Sequence, residues 1–138
     1  MSLEAALYRY LTEHASVGPL LRAQLYPEAA RTAQDAALPY ATYSQSGEQP
    51  LWHITGFAGL TNARIILDLW CDSMLQRATL AAAIQQALDA WGGTVREAVG
   101  IRLCQVLDQI DAYVPLEDGS ENGIYQRTLD LMIWYRDL

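Results

Sequence analysis

The chain has 138 residues, nine arginines and no lysine, a formal charge of −7 and a hydrophobic content of 51%. This length fits a single domain, read as residues 1–138, that buries roughly two-thirds of its unfolded surface without help from a metal or disulfide, and the hydrophobic content excludes global disorder. The acidic balance argues against an electrostatic nucleic-acid footprint, and no apolar run approaches the ~20 residues of a membrane-spanning helix.

Leu3, Ala6, Leu7, Tyr10, Leu11 and His14 recur at spacings of three and four. They predict an amphipathic first helix, with Ser2 as its cap and an end near Val17-Gly18-Pro19. Leu20 to Tyr26 reads as a short helical turn, and Pro27 to Ala37 as a long surface loop. A first strand is expected at Leu38 to Ser44, then a turn at Gly47 to Pro50. Trp52 to Phe57 reads as a second short strand, with Gly56 and Gly59 marking the loop after it.

From Ala63 to Asp72 the chain alternates with a period of two. Ile65, Leu67, Leu69 and Cys71 fall on one face, while Arg64, Ile66, Asp68 and Trp70 fall on the other. Ser73 stands three residues before Gln76, the spacing of a capping box. Ala81, Ile84, Leu88 and Trp91 continue a helix that Gly92 and Gly93 end.

Val99 to Ile110 is the fourth predicted strand, with Ile101, Leu103 and Leu107 on one side and Arg102, Cys104 and Asp108 on the other. Gln105 interrupts its apolar face and points to a bulge or an edge position. Pro115 to Gly123 is a turn, and Ile124 to Tyr135 the last strand. The expected class is α+β: a mainly antiparallel sheet of about four to five strands, with the long helix and the N-terminal helix packed on one face.

No pattern of catalysis emerges. His14 and His53 share no ligand spacing, no serine sits in a nucleophile elbow, and Gly56 to Gly59 lacks the lysine of a phosphate loop. Glu117, Asp118 and Glu121 do not match a calcium loop and read as a solvated turn. Cys71 and Cys104 read as buried, reduced thiols. No metal, cofactor or enzymatic activity is expected.

Several segments, in order, resemble the tail-completion (tail-terminator) proteins of long-tailed bacteriophages, prophages and gene-transfer particles. They are the opening MSLEAALYRYL, Leu25-Tyr26-Pro27, LPYATY from Leu38 to Tyr43, ARIILDLWCDS from Ala63 to Ser73, and YQRTLDLMIWYRD from Tyr125 to Asp137. The resemblance implies a structural protein that caps the head-proximal end of the tail tube, ends tube polymerisation and allows head–tail joining. It also implies a homo-oligomeric ring, commonly a hexamer, whose partners are the tail tube protein and the head–tail connector proteins. DNA would pass through the ring without specific binding, and the location would be the virion tail, preceded by the host cytoplasm during assembly. No catalytic residue is carried over.

A head–tail connector or neck adaptor, and a stand-alone small α+β binding domain, are the competing readings. Expected interface residues are Ile66 and Trp70 on the second strand face, Phe57 and Leu60 near the glycine-marked loop, and Glu117, Asp118 and Glu121 at the late turn. Whether a helix covers that second face or leaves it to a partner stays open at this point.

Overall fold

The computed structural model describes residues 3–22, 24–27, 39–53, 56–96, 99–115 and 123–137. Helices α1 (Leu3–Glu13) and α2 (Gly18–Leu21) come first, followed by strands β1 (Leu25–Pro27), β2 (Tyr40–His53) and β3 (Gly56–Cys71). Helix α3 (Met74–Asp89) and strands β4 (Val95–Arg96), β5 (Val99–Val114) and β6 (Ile124–Asp137) complete the chain. Six strands form one sheet in the order β1-β2-β3-β6-β5-β4. All neighbours are antiparallel except β1, which runs parallel to β2.

The period of two in β3 sets the layering. Ala63, Ile65, Leu67, Leu69 and Cys71 are fully buried, as are Leu129, Leu131 and Ile133 of β6. Their face packs in one cluster with Leu3, Leu7 and Leu11 of α1 and with Leu80, Ile84 and Leu88 of α3. Both helices therefore lie on one side of the sheet. Trp91, just beyond α3, is fully buried and stacks on the Tyr10 ring at 5.1 Å, while the Tyr10 hydroxyl donates to the Ala87 carbonyl. That clasp ties α1 to the end of α3.

The ends of α3 follow the sequence. Ser73 is the N-cap, its hydroxyl accepting from the Gln76 N–H at 3.1 Å. The Gln76 side chain returns to the N–H of Asp72, one residue before the cap, at 2.8 Å. Gly93 has φ +88 and donates its N–H to the Ile101 carbonyl at 2.7 Å, so the turn joins α3 directly to β5. Gly18 meets a different demand: a Cβ there would lie 2.8 Å from the Thr12 carbonyl oxygen.

Three expectations are corrected. First, the turn at Gly47 to Pro50 and the loop marked by Gly56 and Gly59 are both strand: β2 and β3 form one long hairpin in which Trp52 pairs with Phe57. Register shifts between Gln45 and Gly47, and between Pro50 and Trp52, absorb the residues that looked like a turn. Second, Leu25 to Pro27 is a strand paired with Ala41 to Tyr43, and only Gly18 to Leu21 is helical.

Third, the faces expected for β5 are reversed at Leu103 and Cys104: the strand is bulged, as Gln105 led one to expect, between Ile101 and Leu103 and again between Val106 and Asp108. Each bulge inserts one unpaired residue and swaps the faces. Leu103 and Leu107 are consequently exposed, each at 44%, while Cys104 is buried with Ile101. The expected loop from Pro27 to Ala37 lies outside the described residues apart from Pro27, as does most of the turn from Pro115 to Gly123.

Candidate interaction surface

The sheet's second face carries no helix among the described residues. It is built from the even positions of β3 and β6 and their neighbours in β2 and β5, in rows fixed by the strand register. Ile66 lies beside Asp130, Asp68 beside Thr128, and Trp70 beside Gln126. Ile66, Trp70, Met132 and Trp134 are all half-buried.

Polar groups on this face are cross-linked by the sheet itself. The Arg64 guanidinium makes a two-point ion pair with Asp130, one arm of it 3.1 Å from Nε to Oδ1. Asp68 Oδ1 accepts from the Thr128 hydroxyl at 2.5 Å and from the Gln126 amide at 3.2 Å. Trp70 stacks on Tyr40 at 5.9 Å, and its indole N–H reaches the Thr42 hydroxyl at 3.4 Å. Such bonds hold the rows in place and leave Ile66 and the indole as a firm, partly apolar surface.

A second cluster sits where α3 begins, on the helix-bearing side. Asp111 of β5 receives both arms of Arg127, at 2.6 and 3.0 Å, and lies 3.6 Å from Arg77 of α3. Arg77 also lies over the Tyr125 ring at 5.5 Å, and Tyr125 packs against Tyr113 at 4.9 Å. The hydrogen bonds from Arg127 hold the Asp111 carboxyl below the usual carboxylate range, against a smaller opposing effect of burial.

Among the described residues no group of three or more His, Cys, Asp and Glu side chains converges on a metal position. Both cysteines are free and buried, and burial pushes the Cys71 thiol up to about 11 and the Cys104 thiol up to about 12. Neither provides a thiolate nucleophile at neutral pH. His14 is occupied as an acceptor from the Ser16 N–H at 3.1 Å.

Of the residues singled out from sequence, Ile66 and Trp70 share the helix-free face. Leu60 lies half-buried inside β3 rather than in a loop. Phe57 stands in β3 next to the hairpin tip, and its side chain lies outside the described residues, as do Glu117, Asp118 and Glu121 entirely. Sequence reasoning missed the exposed apolar residues of β5: Ile110 is 60% and Tyr113 46% exposed, beside Leu103 and Leu107. Gln105 was their one signal, because it breaks the alternation between the two bulges.

A family model described as "Tail completion protein gp17" matches residues 5–136 of the chain. A solved chain of the virion of a native gene transfer agent particle is similar in fold, with a TM-score of 0.67 and 17% identity. That likeness covers 99% of this chain and 94% of the other. No curated protein matches.

Proposed function

The chain belongs to the tail completion protein family, a family of phage structural proteins, and from that membership we propose that it caps the head-proximal end of the tail tube. It ends tube polymerisation and offers the surface on which the head connector docks. The observation that carries this reading is the family match, which runs through nearly every element of the fold and not through one motif. Copies of the chain assemble as a ring, whose subunits touch through unlike surfaces that close on themselves. The protein performs no catalysis. It works as a component of the tail after assembling in the host cytoplasm.

The helix-free face suits a contact with a neighbouring protein, because Arg64 is already paired with Asp130 and Asp68 with Thr128 and Gln126, while Ile66 and Trp70 stay half-buried among them. We assign Ile66, Trp70 and Leu60 to that contact, with Phe57 at the hairpin tip. Glu117, Asp118 and Glu121 are assigned to a contact made by the β5–β6 connection. The similar chain in a gene transfer agent virion fits a place among virion proteins.

Deleting the gene from its phage or prophage and imaging the lysate by electron microscopy tests the proposal. Filled heads beside unattached or over-long tails are the expected result. Complete virions in normal number would overturn it. Heads that leak DNA beside tails of normal length would move the protein to the neck.

A further inference from the structure

The outer face of α3 is not that of a helix turned to water. Leu80, Ile84 and Leu88 pack with the sheet, and on the opposite side of the helix Leu75, Thr79, Ala82 and Gln86 are exposed. Leu75 is 77% exposed and Met74 beside it 62%. Between Arg77 and Asp89 the helix has no charged residue, and Arg77 is itself held by Asp111 and the Tyr125 ring. A helix that lacks a charged face is typically covered on both sides. A cavity of ≈ 310 Å³ opens beside Leu75 and Thr79, with Leu20, Pro39 and Leu80 in its walls.

The sheet shows the converse. On its helix-free face Ile66, Met132 and Trp134 are half-buried, and the register adds Leu103 beside Trp134 and Ile110 beside Thr128, both exposed. Charges at the centre of this face are already matched within the subunit, Arg64 by Asp130 and Asp68 by hydrogen bonds from Thr128 and Gln126. Apolar faces are buried by stacking layers of secondary structure. Among the described residues this subunit supplies helices to one face of its sheet only.

We propose that the outer face of α3 packs against the helix-free sheet face of a second copy, so that sheet and helix layers alternate from subunit to subunit. This rests on the ring reading above and names the two surfaces that close the ring. Charge selects a second copy as the occupant. At −7, copies repel wherever their acids face one another, so a contact between them falls where charge is absent or already neutralised. The strip on α3 and the centre of the sheet face meet that condition, whereas a strongly charged partner would find nothing on the strip to pair with. Each surface occurs once per subunit, on opposite sides, as a head-to-tail contact requires. Their lengths also agree. Leu75 to Gln86 spans about 17 Å of helix, and Thr128 to Trp134, the rows of Ile110 and Leu103, spans about 20 Å of strand.

The test uses the full chain, alone and with isolated tail tubes, and reads assembly by sedimentation and native mass spectrometry. Leu75→Glu on the helix and Ile110→Lys on the sheet should each weaken ring formation at least tenfold. Ala15→Glu, exposed beyond α1, adds the same charge as the first and should leave assembly unchanged. A glutamate suits the first turn of a helix, and Ala82→Glu repeats that arm at a second exposed position, with thermal melts of every variant checking the fold. Mixed together, Leu75→Glu and Ile110→Lys should form a one-to-one dimer and stop there, because each keeps the surface the other has lost. Dimers of Ile110→Lys alone would replace the stacking with a two-fold α3–α3 contact. Rings that form equally well with both variants would overturn the stacking and leave the ring itself standing. If those rings also fail to bind tubes, α3 meets the tube protein instead. No assembly by the unaltered chain, with or without tubes, would remove both this inference and the ring.

Discussion

Single positions in this molecule are constrained by backbone as much as by side chains. Gly18 is the sharpest case, because the Thr12 carbonyl leaves no room for a methyl group. Gly18→Ala should destabilise the fold by about 1–3 kcal/mol, the usual cost of overpacking a closed site, read as a shift in the urea midpoint. Asp111 gives a prediction of another kind. Its folded pKa is lowered by Arg127, so its contribution to stability is present above the unfolded value near ~4 and fades as pH falls through the lower folded value. Thermal melts of Asp111→Asn should show a deficit against the unaltered chain at pH ~6 that shrinks as pH falls below the unfolded value. With the side chain 41% exposed, solvent screening keeps the deficit under about 1 kcal/mol.

At the scale of elements, the strand–cap–helix unit from Ala63 to Gly93 was legible, because its signals are local. Alternation, the Ser73–Gln76 spacing and the paired glycines each act within a few residues. The misread elements depend on partners far away. Leu25 to Pro27 is a strand only because Ala41 to Tyr43 lies beside it. Gly47 and Pro50 look like a turn, yet an edge strand tolerates both at irregularities in its register. In β5 a strict period of two placed Leu103 inside and Cys104 outside, and the bulge reverses them. Paired substitutions test that reversal. Cys104→Ser should cost about 1–3 kcal/mol by burying a hydroxyl without a fixed partner, and Leu103→Ser less than about 1 kcal/mol. Equal losses in chemical denaturation would return β5 to a regular strand. The helix-free face was half legible: Ile66 and Trp70 could be placed opposite the core, but nothing local says whether a helix covers them.

For the whole molecule, the charge of −7 acts on assembly more than on folding. Like subunits repel one another, and salt shortens the reach of that repulsion to about 8 Å at ~0.15 M. Raising ionic strength from ~0.01 to ~0.15 M should therefore lower the concentration at which copies associate, as measured by sedimentation. Weaker association at the higher salt would point to subunit contacts made by opposite charges.

The place of β6 in the strand order has a further consequence, and it concerns time. This last strand of the described chain lies between β3 and β5, with Thr61 paired to Tyr135 across the middle of the sheet. While the ribosome is still making β6, the earlier strands form two separate pieces, one holding β1, β2 and β3 and the other β4 and β5. The newborn chain therefore exposes the inner edges of both pieces, and contacts this distant in sequence close slowly. A chain stopped at Gly123 should aggregate, whereas supplying residues 124–137 as a separate peptide during refolding should recover soluble protein.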